Sequence, residues 1–133
     1  MVSFEQRPEY LDFANSILGT KFNQPDCSWI SSHYQGALAG VVVYSRFTPW
    51  NCEMSVASNN PRFLTRELLH KAFWYPFVQC KLSRVTAVVE DGNERALRMN
   101  RGIGFEDEGR LEGWFGERDG LILKMLKGRC RWI

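Results

Sequence analysis

Residues Arg84 to Phe105, RVTAVVEDGNERALRMNRGIGF, decide how the chain is read. Val85, Thr86, Ala87, Val88 and Val89 form an apolar, β-branched run with almost no alternation. Such a run predicts a strand covered on both faces, as in a parallel sheet. Asp91-Gly92-Asn93 breaks it, and Asn93 suits the N-cap of a helix opening at Glu94. Gly102 suits the left-handed position that closes that helix. Asn93, Ala96, Leu97 and Asn100 then fall at spacings of three and four, on one face. Two carboxamides on that stripe, roughly 10 Å apart along the axis, offer donors and acceptors to an extended ligand with amides of its own. The plainer alternative is that Asn93 only caps and Asn100 is exposed.

Outward from this stretch, the chain predicts a single domain over residues 1–133. Hydrophobic residues at 44% and charged residues at 24% are ordinary globular values, while aromatics at 14% are high enough that cores and clefts should be built from rings. A net charge of +2 argues against a nucleic-acid partner. Arg95, Arg98 and Arg101 are interspersed with acids, and the basic end carrying Lys124, Lys127, Arg129 and Arg131 reads as a solvated surface. Cys27, Cys52, Cys80 and Cys130 are far apart and joined only by His33 and His70, so no metal site is expected. MVSFEQRPEY has no apolar core of a signal peptide, and no run approaches the ~20 apolar residues of a membrane span. Cytoplasmic localisation with free, mostly buried thiols is the expectation. Nothing in the sequence specifies the oligomeric state.

Pro8 to Leu18 predicts an amphipathic helix with Tyr10, Leu11, Ala14, Ile17 and Leu18 inward and Gly19 as its stop. Cys27 to Tyr34 and Ala37 to Phe47 predict an antiparallel hairpin about Gln35-Gly36. Gly40 inside the second strand marks a bulge or a close backbone approach. Cys52 to Ala57 is the next strand. Thr65 to Phe73 has helical periodicity, which Pro76 should kink or end near Tyr75, with a further turn to Cys80. Strand, helix and strand with so long a crossover imply parallel pairing. Ile103 to Gly109 and Gly120 to Leu126 predict a closing hairpin.

Asn93, Ala96, Gly104-Phe105, Glu108-Gly109-Arg110 and Asp119-Gly120, in that order, resemble the second half of the Gcn5-related N-acetyltransferase (GNAT) family. The ordered set carries the resemblance, over about Val56 to Met125; no single piece does. The branch it looks most like modifies ribosomal-protein N-termini, and small phage-encoded members share the YPF after the main helix and an ending like Cys130-Arg131-Trp132. The resemblance implies an α/β (α+β) domain with a mixed sheet of about six or seven strands, a parallel βαβ unit and about three or four helices. It also implies acetyl-CoA as co-substrate and an amine acceptor: a protein N-terminus, a lysine or a small amine.

Carried residue by residue, the family's thioester-polarising strand falls on Met54, Ser55 and Val56. Its pyrophosphate loop falls on Arg62, Phe63, Leu64, Thr65 and Arg66. Its pantetheine-binding helix falls on Asn93, Ala96 and Asn100. The loop lacks the family's glycines, so phosphate would depend on backbone N–H groups at a helix start and on Arg62 and Arg66. Glu53, the one acid on its strand, is the candidate base. The family's general-acid tyrosine is replaced by Asn100, whose amide can donate to sulfur but cannot deliver a proton. An inactive GNAT-fold binding or structural module is the alternative.

Overall fold

The computed structural model describes every residue from Met1 to Ile133. In chain order the elements are β1 (Val2–Ser3), α1 (Pro8–Leu18), β2 (Ser28–Tyr34), β3 (Ala37–Ser45), β4 (Asn51–Ser58), α2 (Arg66–Trp74), β5 (Arg84–Glu90), α3 (Glu94–Ile103), β6 (Glu106–Phe115) and β7 (Arg118–Leu126). They build one seven-stranded mixed sheet of order β1-β2-β3-β4-β5-β7-β6, in which only β4 and β5 run parallel. The fold class and the parallel pairing across the β4–α2–β5 crossover agree with the expectation. The two-residue β1, paired with Ser31 and Ser32, is an addition too short for any sequence pattern to register.

The strand period sorts side chains between two cores. On one face Met54, Val85, Ala87, Val89 and Leu123 pack with Leu68, Phe73 and Phe77 from α2 and the turn after it, and with Leu97 from α3. On the other face Trp29, Val41, Val43 and Ala57 receive Leu11 and Ala14 of α1. Gly40 allows a close approach here. A Cβ on it would lie 2.5 Å from Phe63 Cδ2, so the ring just before α2 rests directly on the backbone of β3. The ladder also slips between Ser32 and His33, opposite this glycine. Tyr44 Oη donates to Ala72 O at 2.6 Å and Ser32 Oγ donates to Phe63 O at 2.7 Å, which fixes the start and end of α2 on the sheet.

Several local expectations are corrected. β5 is not covered on both faces: Val85, Ala87 and Val89 are buried, whereas Thr86 and Val88 are half-buried, and Val88 borders an opening rather than a second helix layer. The closing glycine of α3 is Gly104 at φ +124, not Gly102; its N–H and that of Phe105 return to Asn100 O, which ends the helix two residues later. Ile17 and Leu18 are exposed at the end of α1, beyond the reach of the sheet. The expectation for Pro76 holds: α2 ends at Trp74, and a further π-turn over Tyr75–Gln79 is closed by Cys80 N–H on Tyr75 O at 2.9 Å. The last two strands are longer than their apolar runs, since a hairpin ladder continues where burial stops. All four cysteines are free; Cys27 and Cys52 are buried, Cys80 and Cys130 half-buried.

Candidate functional site

β4 and β5 are paired at only three positions: Asn51 with Arg84, Cys52 with Val85 and Glu53 with Thr86. The closed end is pinned. Trp50 O accepts the N–H groups of Ser83 and Arg84, and Thr86 Oγ1 donates to Asn51 Oδ1 at 2.7 Å. Beyond Glu53 the strands part, while β4 keeps its ladder to β3 as far as Ser58 and β5 keeps its ladder to β7 as far as Glu90. Each therefore presents one unpaired backbone edge to the gap. Unpaired edges are expensive to leave buried and dry, so the gap suits a ligand that can hydrogen-bond along a strand.

The resulting cleft holds about 350 Å³ and runs through the sheet. Met54, Val56, Ala96, Met99 and Asn100 line it on the side of α2 and α3. Glu53, Ser55, Val88, Leu18, Phe22 and Trp114 line it on the side of α1. Asn93 caps α3, its Oδ1 accepting Ala96 N–H at 3.2 Å, and still lines the cleft. Asn100 is buried rather than exposed. Its Nδ2 donates to Ala96 O at 2.9 Å, which leaves one amide hydrogen and Oδ1 uncommitted. Met54, Ser55, Val56, Asn93, Ala96, Asn100 and Glu53 are thus brought to one cavity.

Arg62, Phe63, Leu64, Thr65 and Arg66 do not line that cleft. Phe63 and Leu64 border a narrow apolar gap that shares Met54, Val56, Met99 and Asn100 with it. Arg62 N–H is taken by Asn60 Oδ1 and Phe63 N–H by Asn60 O, and the Arg62 guanidinium lies over the Tyr34 ring at 5.5 Å. Thr65 caps α2, accepting Leu68 N–H at 3.1 Å. The N–H groups of Leu64, Thr65, Arg66 and Glu67 have no partner in the chain, and an N-terminus of this kind favours an anion. Arg66 is exposed beside them.

The motif residues of the second half have structural work. Glu108 takes Arg84 and Lys124 as partners, and the Arg84 hydrogen bonds hold its carboxyl down to a pKa of about 2. Arg110 Nη1 donates to Asp91 and Asp119, each at 2.8 Å, tying the last hairpin to the turn before α3. A Cβ on Gly120 would meet Trp114 Cβ at 3.1 Å, so this glycine lets the Trp114 stem lie flat against β7 at the mouth of the cleft. No cysteine lines the cleft, and burial pushes the Cys52 thiol up to about 12.

Sequence reasoning missed Arg46, Phe22, Leu18 and Trp114. Arg46 at φ +50 leaves β3 with its Nε 3.0 Å from Glu53 Oε2 and its guanidinium 5.8 Å from the Trp114 ring centroid. Only Trp114 carried a signal: Gly113-Trp114-Phe115-Gly116 puts two exposed large rings in an otherwise polar hairpin.

No protein-family model and no curated protein sequence matches the chain. Solved structures do. The spermidine/spermine N-acetyltransferase SpeG from Vibrio cholerae, solved with manganese ions, superposes with a TM-score of 0.74 over 95% of this chain and 91% of its own, at 16% identity. A chimera of that enzyme with hSSAT gives 0.74 over 96% of each chain, also at 16% identity. The N-acetyltransferase PseH from Campylobacter jejuni, in complex with acetyl coenzyme A, gives 0.62 over 90% of this chain and 78% of its own, at 16% identity. No helix is long and apolar enough to cross a membrane. The chain has the fold of the GNAT N-acetyltransferases.

Proposed function

We propose that the protein transfers an acetyl group from acetyl-CoA to an amine. The observation that carries this reading is the three-pair limit of the β4–β5 ladder, which opens a through-sheet cleft with two free strand edges beside an amide-bearing helix. Acetyl-CoA supplies the activated acetyl group as a thioester, and the residues present fit its parts. The free edge of Met54 to Val56 suits the carbonyl and the first amide of the arm; Asn93, Ala96 and Asn100 suit the rest. The uncommitted N–H groups of Leu64 to Glu67, with Arg62 and Arg66 near, suit the phosphates.

Each of this chain's groups has a definite task. Backbone N–H groups of β4 polarise the acyl oxygen from fixed positions. Glu53 takes the proton of the attacking ammonium, directly or through water. Asn100 offers its remaining amide hydrogen to the departing sulfur, and the thiolate is protonated from solvent, because no tyrosine lines the cleft. Catalysis then rests mainly on positioning. An acceptor on a protein N-terminus, in the manner of the ribosomal-protein branch, and a phage source belong to the same proposal.

The test is a thermal shift. At a hundred times its dissociation constant acetyl-CoA should stabilise the protein by about 2.7 kcal/mol, and no shift at millimolar acetyl-CoA would end this reading. A second reading, a GNAT-fold module without catalysis, is favoured by one feature: Arg62 and Phe63 N–H, which a glycine-rich loop would turn to phosphate, are consumed by Asn60. Acetyl-CoA binding with no transfer to any amine would select it.

A further inference from the structure

The cation nearest the proposed base is the protein's own. Arg46 and Glu53 form an ion pair at 3.0 Å, with the guanidinium against Trp114. Arg46 reaches this place from a left-handed backbone (φ +50) that long side chains seldom adopt. An ammonium arriving at Glu53 meets a carboxylate whose Oε2 already holds a guanidinium. The two cations then compete for a single carboxylate, and a second anion beside Arg46 relieves that competition.

Arg46 stands on the wall between the cleft and a shallower groove of about 360 Å³ on the α1 side, where Thr20, Phe22 and Ser45 are also shared. Lys21 and Asp26 face that groove, and neither makes an ion pair. Once the acceptor's ammonium occupies Glu53, the groove presents Arg46 and Lys21 against Asp26, and Glu90, the other acid of the cleft, is already 3.9 Å from Arg118. Its balance has become cationic.

Resting on the acetyl-transfer reading, we propose that the acceptor is a primary amine whose body carries a carboxylate, with the ammonium on Glu53 and the carboxylate on Arg46. One internal ion pair is exchanged for two with the substrate. A guanidinium presents a planar fork of donors that a carboxylate can accept in pairs, so the exchange also fixes orientation. A linear polyamine makes the opposite demand, bringing more positive charge to an Arg46 that has just lost its partner. Arg46 is thereby a specificity-determining residue. The carboxylate can belong to a free amino acid or to an acidic residue next to a peptide N-terminus.

The experiment needs no acetyl donor. Binding is followed through the indole resonance of Trp114, assigned with Trp114→Phe, using the peptide amides Ala-Glu-Gly, Ala-Gln-Gly and Ala-Lys-Gly, and L-glutamate against L-glutamine amide. The acidic peptide should bind roughly tenfold tighter than its glutamine counterpart, and the lysine peptide weakest. Arg46→Gln, at an exposed position, should abolish this ranking, Arg46→Lys should restore part of it, and Glu53→Gln should weaken all three peptides alike. A ranking seen only among the free amino acids identifies a small acceptor; one seen only among the peptides identifies a protein N-terminus. Equal binding of acid and amide in both sets, a preference for lysine, or a ranking that survives Arg46→Gln overturns the proposal. A ranking without acetyl-CoA binding would instead remove the transferase reading and leave the ligand class standing.

Discussion

Glu53 and Thr86 are the last aligned residues of the parallel pair, and everything proposed for this protein lies on the open side of them. The same residue that closes the ladder carries the carboxylate that faces the cleft and holds Arg46. The point where the sheet splits is therefore also the proposed base, one residue before Met54, whose backbone is proposed to polarise the acyl oxygen.

Glu53→Gln should lower kcat/KM for acetyl transfer by about 10² to 10⁴, the usual worth of a positioned base. Acetyl-CoA affinity should hardly change, because Glu53 faces the α1 side of the cleft. Steady-state kinetics beside a thermal shift separate the two. Unchanged turnover would remove Glu53 from the chemistry.

Ala96→Leu fills the cleft from α3. Leucine is nearly as good a helix former as alanine, and Ala96 is only half-buried, so the fold should persist with a circular dichroism spectrum like the parent's. Acetyl-CoA should no longer stabilise the variant. Retained binding would place the coenzyme elsewhere.

Gly40→Ala should be costly. Its Cβ would meet Phe63 Cδ2 at 2.5 Å and two further Phe63 atoms below 3 Å, so either the ring or β3 must move. Overpacking of this kind costs about 1–3 kcal/mol. Because Phe63 lies just before α2, coenzyme affinity should fall with it. Gly102→Ala, where nothing lies within 4 Å, is the control and should be neutral or stabilising by about 0.5–1 kcal/mol. Urea unfolding of the two variants makes the comparison.

Glu108 predicts an acid limb to stability. Arg84, aided by Lys124, holds its folded pKa at about 2, below the ordinary glutamate value of 4.5. A depressed carboxylate contributes stability above the unfolded value, and that contribution is lost as pH falls from about 4.5 towards 2. Glu108→Gln should therefore be less stable than the parent near pH 7, with the difference shrinking through this window. Urea midpoints at a series of pH values read it out, and a constant difference down to pH 2 would refute the assignment.

Removal of the cap on α2 by Thr65→Ala should cost about 1 kcal/mol, since Leu68 N–H loses its acceptor. The loss lies at the proposed phosphate-binding end, so acetyl-CoA affinity is expected to drop as well, measured by titration calorimetry.

By itself the sequence determined the order and kind of the elements apart from β1, the cap at Asn93, and the parallel crossover from β4 to β5. Those signals are local: an alternation, a capping oxygen, a proline, a crossover too long for a hairpin. It also put Asn93, Ala96 and Asn100 on one face, because helical spacing needs nothing beyond the helix. Only the tertiary structure decided how far the β4–β5 ladder runs, that Val88 borders an opening, and that Arg46, Glu53 and Trp114 meet. Residues 46, 53 and 114 come from three separate strands or their ends, and no pattern within a window of sequence links them. Where Gly102 was expected to end a helix that Gly104 ends, the two glycines were locally equivalent; the hydrogen bonds that Gly104 and Phe105 return to Asn100 O made the choice.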